Sequence, residues 1–144
     1  MDDAELLAKF ERSEIPRVEW THQAHVQIGY LYLRSYLFED ALEMLTRGIK
    51  ALNAANKVDE GPRSGYNQTI TVAFLRLIDL TIRTRESGYP STSEEFCRRN
   101  PQLMCPQILR LFYSPLALEN PMTKTMFVEP DLAQFPNLLL EPSE

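Results

Sequence analysis

Eight of the ten prolines fall between Pro90 and Pro142, and this asymmetry divides the chain. A proline inside a helix removes a backbone donor and clashes with the preceding turn, so no long helix continues through that part. The first 89 residues contain only Pro16 and Pro62 and can form long helices. A chain of 144 residues buries a core without disulfides or metal and is short for two ordinary domains. The expectation is one helical domain over 1–144, with main helices in 1–89 and short helices and a wrapping tail in 90–144.

Apolar spacing predicts the elements. Over residues 2–14, Leu6, Leu7 and Phe10 share one side, and Pro16 follows. Thr21 is a good N-cap for a second helix to about 36, because its hydroxyl can accept from an unpaired first-turn N–H. Residues 38–56 carry the clearest stripe, Ala41, Leu42, Leu45, Ile49 and Leu52, with Glu43 and Arg47 four apart on the solvated side. A loop over 59–66 contains Gly61, Pro62 and Gly65, and a fourth helix over 67–86 is stopped by Ser87-Gly88-Tyr89-Pro90. Short helices are expected at 92–99, capped by Ser91 or Thr92, and at 106–113. The tail keeps Met126, Phe127, Val128, Leu132, Phe135 and the run Leu138 to Leu140, which favours an ordered wrap. No segment alternates as a strand does and no repeat is present, so the expected class is all-α: a bundle of about four main helices with an extended, proline-rich C-terminal wrap.

Fifteen basic against twenty acidic residues give a net charge of −5, without the basic field that attracts nucleic acid or an anionic membrane. No apolar run approaches the ~20 residues that span a bilayer. The acidic N-terminus does not read as a signal peptide, so the expected location is cytoplasmic. There Cys97 and Cys105 are ordinary reduced thiols and the sequon Asn67-Gln68-Thr69 has no consequence. Glycine-rich phosphate loops are absent, and no organic cofactor is expected.

The second helix carries the candidate chemistry. At 100° per residue, Gln23, Gln27, Tyr30 and Arg34 fall within roughly 60° of one another as its polar stripe. His22, His25, Gly29, Tyr32 and Tyr36 lie opposite, which aims two imidazoles inward with open space beyond them at Gly29. A buried histidine is commonly a hydrogen-bonded core residue; two on one face point instead to a small polar pocket. A helix N-terminus disfavours the charged ring and so favours the neutral imidazole that acts as general base. The fourth helix, projected likewise, turns Asn67, Ile70, Phe74 and Ile78 inward, and Asn67 meets the histidines if the two first turns share one end of the bundle. Tyr66, Gln68, Tyr32 and Tyr113 are further candidates for substrate contact, whereas Glu129 and Asp131 read as a polar tail anchor.

Five ordered blocks carry a resemblance across nearly the whole chain: W-T-H-x-A-H from Trp20, N-A-A-N-K-V at 53–58, G-Y-N-Q-T-I-T at 65–71, F-Y-S at 112–114 and F-V-E-P-D-L-A at 127–133. Together they resemble a family of small, mostly bacterial helical proteins of uncharacterised activity. In that family the fourth-helix motif reads Y-H-E-T, which implies a third histidine and a carboxylate near the pair. Here Asn67 and Gln68 stand at those positions, removing a strong metal ligand and a charge. No metal site is therefore assigned.

The expected function is small-molecule acid/base chemistry of the isomerisation, cyclisation, elimination or hydration type. His22 or His25 moves a proton while Tyr66, Asn67 and Gln68 orient the substrate. Two other readings stay open: a non-catalytic ligand- or partner-binding protein with a degenerate metal site, and a metalloenzyme retaining two histidines. Oligomeric state is not legible in the sequence.

Overall fold

The computed structural model describes residues 1–84 and 92–136. Six α-helices follow in order: α1 (Asp3–Glu11), α2 (His22–Ser35), α3 (Phe38–Ala55), α4 (Gln68–Thr84), α5 (Ser93–Arg99) and α6 (Pro115–Leu118). The described residues contain no strand, and their one extended pairing is an isolated bridge between Gly61 and Ser64. The protein is all-α.

Caps set the boundaries. Asp2 accepts from the Glu5 N–H at α1, Thr21 from Ala24 at α2 and Thr92 from Glu95 at α5. Asn67 Oδ1 accepts from the Ile70 N–H at 2.9 Å and starts α4. The anticipated stop at Ser87 to Pro90 and the alternative cap Ser91 lie outside the described residues, as do Leu138 to Leu140.

After α5, Pro101, Pro106, Pro115 and Pro121 each open a new short turn. Pro101–Met104, Pro106–Leu111 and Pro121–Lys124 are 3₁₀ turns, and α6 begins at Pro115. The helix expected at 106–113 is therefore a shorter 3₁₀ segment, since prolines suit a first helical position and interrupt what precedes them. Thr69 secures the segment that follows, donating to the Met126 carbonyl at 2.8 Å and accepting from the Val128 N–H at 3.0 Å. Lys124 donates to the carbonyls of Gly61 and Ser64, tying the 59–66 loop to the same region.

α2 packs against α1, α3, α4 and α5 and separates two apolar clusters. Val26 and Tyr30 enter the cluster of Ile78, Phe96 and Tyr113. Ile28 and Tyr32 enter the cluster of Phe10, Leu52 and Leu75. Each such side chain taken fully from water contributes about 1.5–3 kcal/mol.

This arrangement corrects three projections. Tyr30, assigned to the polar stripe, is fully buried because α5 covers that side, its ring stacked on Phe96 at 4.3 Å. Ile70, expected inside, is 41% exposed, since α4 turns Thr69, Val72 and Ala73 inward instead. The space beside Gly29 is occupied by α4: a Cβ there would lie 3.0 Å from Ile78 Cδ1 and 3.3 Å from Leu75 Cδ1. The glycine serves close helix approach.

Candidate functional site

The start of α2 holds both histidines. Thr21 caps it with Oγ1 on the Ala24 N–H at 3.2 Å. Its carbonyl accepts the His25 backbone N–H at 3.1 Å and His25 Nδ1–H at 2.8 Å. His22 Nε2–H donates to the Leu103 carbonyl, 2.8 Å away in the first 3₁₀ turn after α5. Because a carbonyl only accepts, each contact fixes which ring nitrogen carries hydrogen. The ring nitrogen turned away from the carbonyl is Nδ1 in His22 and Nε2 in His25.

Aromatic rings confine both imidazoles. Phe74 meets His22 edge-on at 4.7 Å. Trp20 lies 3.8 Å from the His25 ring and stacks on Phe10 at 5.3 Å, forming a column that joins α1 to α2. Trp20 Nε1 is buried and is the described residues' one buried side-chain nitrogen or oxygen without a hydrogen-bond partner. Burial lowers the His25 pKa to about 4; the Thr21 carbonyl opposes this, and His22 adds to the lowering. His25 is neutral across the physiological range.

The other predicted site residues sit elsewhere. Asn67 Nδ2 donates to Thr123 Oγ1 at 3.2 Å while its Oδ1 caps α4. The Tyr66 hydroxyl donates to Gln68 Oε1 at 2.6 Å and shares a hydrogen bond with Thr46 Oγ1 at 3.1 Å. Tyr32 donates to Glu11 at 2.9 Å, and Tyr113 to the Val128 carbonyl at 2.6 Å. The Tyr113 pKa is pushed up to about 12, chiefly by burial. Among the described residues no hydrogen bond links Asn67, Gln68 or Tyr66 to either imidazole. α4 reaches His22 at Phe74, seven positions and about 10 Å further along its axis than Asn67. The described residues bring no three His, Cys, Asp or Glu side chains together as a metal site.

No family model, curated protein or solved structure matches this chain. The chemistry must therefore be read from the site itself. Sequence reasoning overlooked Trp20 as a partner of His25, although the signal was present. With Thr21 as N-cap, Trp20 and His25 occupy the two positions of a hydrophobic staple, the residue before the cap and the fourth helical residue. The Leu103 carbonyl lies 81 positions from His22 and has no local signal. An open groove of about 570 Å³ lies on the outer side of α3 and includes Thr46 and Gln68. Asp131, expected as a tail anchor, accepts from the Ser114 N–H at 2.8 Å and hydroxyl at 2.6 Å. Those bonds draw its carboxyl below the ordinary range.

No helix among the described residues is long and apolar enough to cross a membrane.

Proposed function

We propose that the protein acts on a small molecule by acid/base chemistry at His22 and His25. One observation carries the reading: two imidazoles, one turn apart, each donate one ring N–H to a main-chain carbonyl, with the other ring nitrogen turned away from it. A carbonyl partner that fixes the tautomer and ring orientation is the arrangement found behind working histidines. His25, uncharged at neutral pH, accepts a substrate proton as a weaker base than ordinary imidazole; its protonated form, more acidic than an ordinary imidazolium, returns the proton at a second position. Isomerisation, elimination and hydration share that two-proton economy.

Tyr32, Tyr66, Asn67, Gln68 and Tyr113 already have internal partners, which favours the histidines as the groups that act. The reading takes the protein as a single domain, a four-helix bundle wrapped by 90–144, cytoplasmic, without organic cofactor or nucleic-acid partner. It includes membership of the family that the five sequence blocks resemble.

A second reading, ligand or partner binding without catalysis, draws support from the Trp20 column, which gives His25 a packing role. The test screens hydroxy, keto and unsaturated small acids by NMR, with the ring ¹⁵N signals of His22 and His25 as readout, and follows each binder over time. Turnover that is lost in both His22→Gln and His25→Gln supports catalysis. A ligand recovered unchanged supports binding, and full turnover in both variants refutes the acid/base role. Elemental analysis after loading with Zn²⁺, Fe²⁺, Mn²⁺ or Cu²⁺ tests the metalloenzyme alternative, which requires metal that disappears in the double variant.

A further inference from the structure

The outer side of α3 carries charge in a particular order. Asp40, Glu43, Arg47, Lys50 and Ala54 are exposed and recur at spacings of three and four. This spacing sets them along one face of the helix. The acidic pair comes first and the basic pair second. Glu43 and Arg47 approach each other at 4.0 Å, with side chains 73% and 72% exposed. The helix dipole favours acid early and base late, but its influence fades within a turn of each end. Glu43 and Arg47 lie in the interior of this 18-residue helix, where acid before base at a spacing of four suits their own ion pair; the same order makes the stripe complementary to itself when reversed.

We propose that this surface is a two-fold interface on which a second copy of the chain docks with the two α3 helices antiparallel. With the axis at position 45, Glu43 faces the partner's Arg47 and Asp40 faces the partner's Lys50, and symmetry repeats each pairing. A parallel arrangement sets like charges together. The ends complement each other as well: Ala54 is exposed at one, and Tyr36 and Leu37 are 48% and 80% exposed at the other. The antiparallel match brings the small residue of each copy against the apolar pair of its partner. The α3 groove includes Asp40, Glu43, Arg47 and Lys50 and offers a concavity for the partner's basic side chains. Such an isologous contact closes at two copies.

A helix about 27 Å long, with a charged seam, buries less than the ~1,200 Å² of a standard stable interface. The dimer is consequently weak and salt-sensitive, and it is independent of the histidine chemistry.

Sedimentation equilibrium of the intact chain, from about 10 μM to about 1 mM, tests this at low and high salt. At ~0.05 M NaCl the mean mass rises toward twice 16.7 kDa; at ~0.5 M the association constant falls at least about tenfold. The double variant D40K/E43R makes the stripe wholly basic, and R47E/K50E makes it wholly acidic. Each alone is monomeric, and an equimolar mixture dimerises. A wild-type chain monomeric at every concentration overturns the proposal, as does association indifferent to salt. Variants that self-associate like wild type, or a folded mixture that stays monomeric, overturn it too. Circular dichroism confirms folding; if a variant unfolds, the wild-type salt series decides.

Discussion

Asp3 and Ser93, ninety positions apart, form a double hydrogen bond that fastens the beginning of α1 to the beginning of α5. The Ser93 hydroxyl donates to Asp3 Oδ1 at 2.5 Å and its backbone N–H to Oδ2 at 2.9 Å. Gln27 of α2 adds a third link, donating to Ser93 Oγ at 3.0 Å. Asp3→Ala leaves the fully buried Ser93 without its acceptors, at an expected cost of about 1–3 kcal/mol. Urea denaturation reads the loss, and a double-mutant cycle with Ser93→Ala yields a coupling above ~0.5 kcal/mol. Additivity of the two substitutions would refute the link.

Gly48 lies under Phe10. A Cβ at that position falls inside contact distance of Phe10 Cε2 and Cζ, and this ring is fully buried against Trp20. Alanine would add up to ~1 kcal/mol of helix propensity but forces the ring to shift, at about 1–3 kcal/mol. Gly48→Ala is expected to be net destabilising and to change the emission of Trp20, the sole tryptophan. Unchanged stability and an unshifted spectrum would show that Phe10 moves freely.

Stability falls on acidification through His25. Its pKa in the folded protein is about 4 against an ordinary 6.5, so between those values the unfolded chain binds more protons. Linkage then makes folding more favourable as pH rises through that window and less favourable as pH falls, by at most ~3 kcal/mol. Glu60 and Asp131, lowered by hydrogen bonds from Tyr66 and Ser114, lose their contributions at lower pH, as they protonate. Urea midpoints at pH 7, 5.5 and 4.5 show the slope, and His25→Gln flattens it between pH 6.5 and 4. A slope unchanged in the variant would assign the acid sensitivity to the carboxylates.

The cysteines differ in reactivity. Cys97 is buried and its pKa is raised to about 12, mainly by burial, whereas Cys105 is exposed in the turn region after α5. Thiolate is the reactive species. The native protein is expected to react with DTNB rapidly at Cys105 alone, and at both thiols once unfolded. Fast native labelling that persists in Cys105→Ser would show that Cys97 opens to solvent.

The legible parts of the fold were those with local causes. Thr21, Thr92 and the prolines mark element ends within a few residues of themselves. The stripe on α3 buries Ala41, Leu45, Ile49 and Leu52 as its period requires. Tyr30 was misassigned because α5, which covers it, is placed by Asp3 and Phe96 rather than by anything near Tyr30 in sequence. The expected meeting of Asn67 with the histidines depended on how far α4 is displaced along α2, a quantity set by Gly29 against Leu75 and Ile78. The histidines' polar partners could not be anticipated either, since both are main-chain carbonyls and carry no residue signature.

The central position of α2 sets a timetable during synthesis. Val26 and Tyr30 leave the ribosome early, yet the cluster that receives them closes with Phe96, Leu103 and Tyr113. At about 5–20 residues per second, the nascent chain carries that apolar side uncovered for on the order of ten seconds. Translation speed across residues 30–113 therefore governs how long the growing polypeptide offers this surface to chaperones or to neighbouring nascent chains.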